Sequence, residues 1–312
     1  MTPSQGKGSW VAYALGITAC FSVTNFLLGA ISELTHGDVQ ASLSAPIVLW
    51  TGMGTVGLVT SLRWLASGRG FAGLPAPVLG RLSAIAGITL AGGMLALKLG
   101  VAADPDGRGP IVAISSANSV IVALLAWRLM RERLTVRQVC GMAVVVAGLV
   151  ALALGAGSRA SLRGVALGLV AMGLFGITNT LVKWIGSRGA DSITATVVLW
   201  LGGGAVGVGG LVLTMASGRG LAGLTTFWPI ALAFLAGLAL AAGMYCIKRA
   251  VTLGPAGPAT AIGGANALVV TALDWLIFGR IPSPLKITGM VLALTGIALL
   301  ALGSHPRGSS GR

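Results

Sequence analysis

Acidic residues are scarce in this chain. It has 7 Asp and Glu against 21 Lys and Arg in 312 residues, and only 9% of the sequence is charged. A soluble globular chain carries about 25% charged residues. With 55% hydrophobic residues, this one cannot hide its apolar surface from water, so a water-soluble domain is excluded and the solvent is lipid. Cysteines are three (Cys20, Cys140, Cys246), all inside apolar runs and without metal-ligand spacing. They read as small packing residues. Histidines are two, His36 in a loop and His305 in the tail, so no histidine relay crosses the apolar spans. No His-Glu-x-x-His, no Gly-x-Ser-x-Gly and no facing pair of acids occurs, so no enzyme, cofactor or metal site is expected. The formal charge of +14 invites a nucleic-acid reading, but Lys and Arg sit in short loops between apolar runs, where they orient a membrane protein. The first apolar run carries Asn25 and is followed by nine more, which argues against a removable signal peptide.

What is present is written twice. Ser-Gly-Arg-Gly-Phe-Ala-Gly-Leu at 67–74 recurs as Ser-Gly-Arg-Gly-Leu-Ala-Gly-Leu at 217–224. Val48-Leu49-Trp50 recurs as Val198-Leu199-Trp200, and Lys98 as Lys248, at the same offset of 150. At an offset of 148, Gly109-Pro110, Ala117-Asn118, Trp127, Gly141-Met142 and Gly148 recur in order, and twelve of forty positions between 109 and 148 are identical without a gap. The period is far too long for a solenoid and marks a duplicated half-protein, which in a membrane points to a transporter.

Apolar runs of about twenty residues without strict alternation select helices over a barrel. Ten spans are predicted, at 10–31, 45–65, 82–103, 110–128, 138–157, 165–185, 193–215, 228–250, 258–278 and 286–303. The two repeats occupy 8–157 and 163–304, and a disordered cytoplasmic tail is expected at 305–312. Six tryptophans (Trp10, Trp64, Trp127, Trp184, Trp228, Trp275) fall near span ends, as an interfacial belt requires. Five spans per repeat is odd, so the second copy enters the membrane upside down. With both termini cytoplasmic, fourteen Lys and Arg fall inside and six outside, with Lys98 in a span. Arg63 and Arg81 become Leu213 and Ala231 in the second copy, and Arg128, Arg131 and Arg137 become Leu276, Gly279 and Leu285. The fold class predicted is an all-α membrane protein of ten helices in two inverted five-helix repeats.

Polar residues at depth are few. All four asparagines fall within predicted spans, as two repeat-matched pairs, Asn25 with Asn179 and Asn118 with Asn266. An amide in hydrocarbon must find partners or face a wet cavity. They read either as a ring lining a pathway or as glue between helices. Ser115 shares a helix face with Asn118. Met94, its counterpart Met244, and Tyr245 offer an adaptable pocket wall or simple packing. Lys98 and Lys248 lie near span ends, where snorkelling to the headgroups is cheap, or serve as paired gate charges. Asp274 sits in the second half of a span, as an ion-pair partner for Lys98 or Arg280 or as a coupling acid. Gly202-Gly203-Gly204 with Gly207, Gly209 and Gly210 make the seventh span thin, which suits close packing or motion.

Arg131-Glu132-Arg133-Leu134-Thr135, leading into Gly141 and Gly148, resembles the signature of the EamA-like family of the drug/metabolite transporter superfamily. Phe21-Ser22-Val23-Thr24-Asn25-Phe26 and Phe175-Gly176-Ile177-Thr178-Asn179 resemble that family's first-helix pattern. Two departures are Arg280 in place of Glu132 in the second copy, and Phe-Ser or Phe-Gly in place of the commoner Trp-Gly. The resemblance implies a ten-helix, five-plus-five fold that moves small metabolites by alternating access, from a central cavity lined by the first, third and fourth helices of each repeat. Small multidrug exporters of the superfamily use a Glu in the first helix. Neither the first nor the sixth span here has a central acid, which disfavours a proton-coupled cationic-drug pump. The expectation is a secondary transporter of a small polar or zwitterionic metabolite in a bacterial cytoplasmic membrane, export favoured, as a monomer or homodimer with substrate and lipid as partners. A multidrug or lipid-linked flippase on the same fold and a non-transporting scaffold are the alternatives.

Overall fold

The computed structural model describes residues 9–104, 108–131, 134–154, 161–279 and 281–302. Among these, every regular element is a helix. The first half contains α1 (Ser9–Leu34), α2 (Val39–Ala66), α3 (Pro77–Ala103), α4 (Arg108–Ser116), α5 (Asn118–Met130) and α6 (Val136–Leu154). The second contains α7 (Leu162–Ser187), α8 (Ser192–Ala216), α9 (Phe227–Leu253), α10 (Ala256–Gly264), α11 (Asn266–Phe278) and α12 (Pro284–Leu302). The tail at 305–312 lies outside the described residues, as do Glu132 and Arg280.

Seven helical stretches are long and apolar enough to cross a bilayer, and three shorter apolar ones accompany them. At 1.5 Å per residue, the 26 residues of α1 span about 39 Å, more than the ~30 Å hydrocarbon core. Leu58, Leu62, Val208, Val212, Leu276 and Val291 are exposed on the outer faces, a cost in water and no cost in lipid. The molecule is a multi-pass helical membrane protein. Trp127, Trp228 and Trp275 are exposed, whereas Trp10 is buried, its ring stacked where a Cβ on Gly254 would sit.

Two expected spans, 110–128 and 258–278, are each broken into two helices. The break falls at Ala117 (φ −72°, ψ 9°) in one half and at Ala265 (φ −72°, ψ 7°) in the other. A ψ near zero tightens the chain out of the α-helical ladder. Ala117 and Ala265 donate to Ile114 O and Ile262 O, three residues back, instead of four. No proline marks either break in the sequence. The freed carbonyls are met by side chains, as described below.

The halves pack reciprocally. α1 lies on α9 as α7 lies on α3, and α2 and α6 each lie against their own counterparts, α8 and α12. Hydrocarbon gives no hydrophobic drive between helices, so these contacts rest on close backbone approach. A Cβ added to Gly54 of α2 would lie 2.5 Å from Gly204 Cα of α8, and the reverse substitution is equally tight. Gly57 meets Trp200 and Leu201, while Gly207 meets Trp50 and Thr51. As numbers rise on α2 they fall on α8, so the two helices run antiparallel. The same holds for α6 and α12, where Gly141 meets Leu300 and Gly148 meets Ala293.

The duplicated octapeptides form matching turns. Gly68 and Gly70 have φ of +71° and +54°, and Gly218 and Gly220 have +70° and +55°, values that glycine alone adopts readily. Each turn then reaches across to the other half. Gly73 packs against Asp191 and Thr194 at the start of α8, and Gly223 packs against Ala41 at the start of α2, both too closely for any side chain.

Candidate functional site

The two helix breaks are tied to the four asparagines. At the first, Asn118 Nδ2 donates to Ser115 O at 3.0 Å, and at the second, Asn266 Nδ2 donates to Gly263 O at 3.1 Å. Each side-chain amide thus takes a carbonyl that the break released. Each then accepts from the first helix of the opposite half: Asn25 Nδ2 donates to Asn266 Oδ1 at 2.9 Å, and Asn179 Nδ2 donates to Asn118 Oδ1 at 3.2 Å. The breaks also lie close together, since a Cβ on Gly264 would fall 3.3 Å from Ser116 O. The sequence-matched amides therefore form two crossed pairs between the halves. The carbonyl oxygens of Asn25 and Asn179 make no hydrogen bond among the described residues, and neither is a fully buried orphan.

Hydroxyls tighten the same region. Thr18 Oγ1 donates to Ile262 O at 2.7 Å, from α1 to the second break, while Ser22 Oγ donates to Thr18 O at 2.6 Å within α1 and lies 3.3 Å from Asn266 O. Ser115 is buried, and its hydroxyl donates to Val112 O at 2.8 Å. Met94 and Met244 are buried in the main hydrophobic cluster, and Tyr245 packs against it with its ring edge-on to Tyr13 at 6.4 Å.

The paired lysines occupy unlike places. Lys98 is half-buried on α3. Lys248 does not snorkel: it is 2% exposed, and its Nζ donates to Val182 O at 2.8 Å. The long stem that could have carried the ammonium to the headgroups instead runs inward between α7 and α9. Beside it a small cleft, with room for about one water, is lined by Ser83 of α3, Val182 and Ile185 of α7, Ala195, Thr196 and Leu199 of α8, and Lys248 of α9. Neighbouring cations are occupied differently. Lys183 Nζ donates to Gly254 O at 2.6 Å, closing the end of α9, and the Arg249 guanidinium lies 5.4 Å from the Tyr13 ring centroid. Asp274 lies on α11, but its side chain is outside the described residues.

One polar contact between the halves escaped the sequence reading. Asp191 N donates to Gly73 O at 2.8 Å, and Arg69 lies 3.7 Å from the Asp191 carboxylate. Burial pushes that carboxyl up, but the Thr194 backbone N–H and hydroxyl and the Arg69 charge outweigh it and hold it below the usual carboxylate range. At the mirror-related turn the position of Asp191 is taken by Ala41, and Ser44 Oγ donates to Ala222 O at 2.8 Å instead. The signal available in the sequence was the octapeptide itself, whose glycines mark a close approach rather than a ligand.

A multi-pass helical protein of two reciprocally packed halves, with broken helices meeting at its middle, has the build of a membrane transporter. Residues 162–302 match the model of the EamA-like transporter family, the family that the sequence motifs resemble. A protein of known crystal structure superposes with a TM-score of 0.70 at 18% identity, over 95% of this chain and 98% of that one. That likeness shows a fold common to the two proteins over nearly their full lengths. No curated protein matches the sequence.

Proposed function

We propose that the chain is a secondary transporter that crosses a bacterial cytoplasmic membrane ten times, with two inverted five-span halves and both termini inside. It moves a small polar or zwitterionic organic solute by alternating access, in the export direction. The antiparallel packing of α2 on α8 and of α6 on α12 supports inversion, and the distribution of Lys and Arg supports the orientation. The observation that carries the transport reading is the pair of crossed amides at the helix breaks. Irregular backbone at membrane depth is stable only when buried in protein or facing a wet cavity. The open carbonyl oxygens of Asn25 and Asn179 offer hydrogen-bond acceptors to a solute there. A scaffold would need the amides for packing alone and would leave no acceptor open. A multidrug or lipid-linked flippase is the same-fold alternative, and it would need an opening to the bilayer between helices.

The test is solute flux in proteoliposomes for Asn25→Ala and Asn179→Ala, with thermal stability measured in parallel. A fall in flux of about tenfold or more, measured at a temperature where the variants remain folded, supports a solute-facing role. Unchanged flux with a lowered midpoint leaves the amides as glue. A reporter fused to the C-terminus checks orientation, and an external C-terminus would overturn the ten-span arrangement.

A further inference from the structure

We infer that Cys20 of α1 and Cys246 of α9 form a two-coordinate site for a soft, thiophilic metal ion of the Cu(I), Ag(I) or Hg(II) kind. The inference is independent of what the protein carries. α1 and α9 run antiparallel, with Gly16 beside Cys246 and Gly243 beside Cys20. A Cβ on Gly16 would lie 3.0 Å from Cys246 Sγ, and one on Gly243 would lie 3.2 Å from Cys20 Cβ. Each cysteine thus fills the space left by a glycine of the opposite helix, and the two thiols hydrogen-bond to one another across the seam. Both residues are half-buried, so part of each stays open at the edge of the crossing. The equivalent crossing of α3 and α7 packs without sulfur. There Gly93 meets Leu174 where Gly243 meets Cys20, and Ala96 stands at the position of Cys246. Close packing at such a crossing therefore does not call for thiols.

Two thiols and little else select the ion. Soft thiolate ligands favour soft cations, whereas structural zinc takes four ligands in a tetrahedron. Among the described residues no further histidine, cysteine or acid completes a larger set, so the ion must be satisfied by two ligands. Charge agrees. Two thiols and HgCl2 yield one S–Hg–S bridge and two equivalents of HCl, with no redox change. Cu(I) or Ag(I) displaces a single proton. Either product is neutral and avoids the cost of net charge among apolar helices. Size agrees as well. A metal–thiolate bond is about 2.3 Å, so a linear bridge spans roughly 4.6 Å, a modest widening of a thiol–thiol hydrogen bond. The ion takes the place of the shared proton and needs no cavity of its own. A disulfide instead brings the two Cβ atoms to about 3.8 Å, and the stagger of these cysteines along antiparallel helices opposes it. Because α1 belongs to the first half and α9 to the second, the ion joins the halves directly.

The test uses purified full-length protein carrying Cys140→Ala, which removes the exposed third thiol. The probe is HgCl2, with ZnCl2 as the control, in the presence of about 0.1 mM competing monothiol, because the second thiol of a pair acts at an effective concentration of mM or more. Native mass spectrometry counts the bound ions, and the unfolding midpoint reports stabilisation. The expected result is one mercury per protein, held against the competitor, with a raised midpoint. Retained mercury should fall by about tenfold or more in Cys20→Ala and in Cys246→Ala, each alone. Cys246→Ala restores the residue of the mirror crossing, and metal-free midpoints show that both variants fold. Zinc should give neither adduct nor shift. Two mercury ions per protein, no mercury held against the competitor, undiminished retention in either single variant, or an equal shift by zinc would each overturn the inference. The count on the parent protein decides even where a variant is unstable.

Discussion

Adding one methyl group to α8 should have opposite effects at two glycines five residues apart. Gly204 faces Gly54 across the crossing of α2 and α8, where a Cβ on Gly54 would lie 2.5 Å from Gly204 Cα and a Cβ on Gly204 would be as close to Gly54 Cα. Ordinary carbon–carbon contact is about 3.5–4.0 Å, so the helices would have to part by roughly 1.0–1.5 Å. The obstruction is backbone, not a side chain that can swing away. Overpacking of this kind costs about 1–3 kcal/mol. Replacing glycine by alanine in a helix returns about 0.5–1 kcal/mol, so the net for Gly54→Ala or Gly204→Ala is a destabilisation of up to about 2.5 kcal/mol, centred near 1 kcal/mol. At Gly209 no atom lies within 4 Å of the added Cβ. There only the favourable term remains, and Gly209→Ala should stabilise by about 0.4–1 kcal/mol. Reversible unfolding in mixed detergent, followed by tryptophan fluorescence, measures both, since Trp50 and Trp200 sit at the crossing. If Gly204→Ala and Gly209→Ala shift stability in the same direction, the close approach of α2 and α8 is wrong.

Asn25→Ala and Asn266→Ala should each destabilise, and a double-mutant cycle between them should return a coupling of about 0.6–1.7 kcal/mol, the range for hydrogen bonds between membrane helices; a coupling near zero would mean the amides do not pair. Asp191 has a folded-state carboxyl below its unfolded value, so its contribution is present above about pH 4 and is lost as pH falls through the folded value. Midpoints of the wild type and Asp191→Asn should therefore differ by a constant amount from pH 6 to 9 and converge in acid. With 41% of the side chain exposed, solvent screening keeps that difference under about 1 kcal/mol, and a gap that widened in acid would contradict the assignment. Gly223→Ala should destabilise by about 1–3 kcal/mol, because the new Cβ would enter the backbone of Ala41 and the residue holds φ at +79°. The same change at Gly29, which has nothing within 4 Å, should be neutral or stabilising.

Hydropathy placed most helices, because long apolar runs in lipid have few other options. The breaks at Ala117 and Ala265 were not legible. Their flanks, Ser115-Ser116 and Gly263-Gly264, sit in apolar runs that also suit an unbroken helix, and what holds the breaks is tertiary: an amide from the opposite half on Asn118 and on Asn266. The repeat-matched asparagines were visible as a set, but their crossed pairing was not, since sequence matching relates Asn25 to Asn179 and Asn118 to Asn266 while the structure pairs Asn25 with Asn266 and Asn179 with Asn118. Lys248 shows the same limit. Its distance from a span end favoured snorkelling, and only the carbonyl of Val182 on a neighbouring helix explains why the ammonium turned inward. In the glycine-rich α8, composition indicated a thin helix. Which glycines are packed (Gly202, Gly203, Gly204, Gly207) and which is open (Gly209) depends on where α2 and α3 lie.

The duplicated octapeptide takes on a mechanical meaning within the proposed transport cycle. Each copy opens on the same pair of left-handed glycines and reaches over to the start of the opposite half's second helix, so one turn ties the halves together at either end of the molecule. A machine that opens alternately must release these two contacts in turn, and they are not alike. The turn at 67–74 adds an ion pair and a backbone hydrogen bond to Asp191, while the turn at 217–224 meets Ala41 and a serine hydroxyl. The first two glycines share their backbone geometry in the two turns, while Gly223 holds φ at +79° and Gly73 does not, so the ends differ in the last glycine and in a few side chains, Asp191 above all. Substituting that residue changes the balance between the ends without altering the turns that define them, so Asp191→Asn should shift which end is labelled by an impermeant thiol reagent at an introduced cysteine, and labelling unchanged at both ends would show that the paired turns are structural braces only.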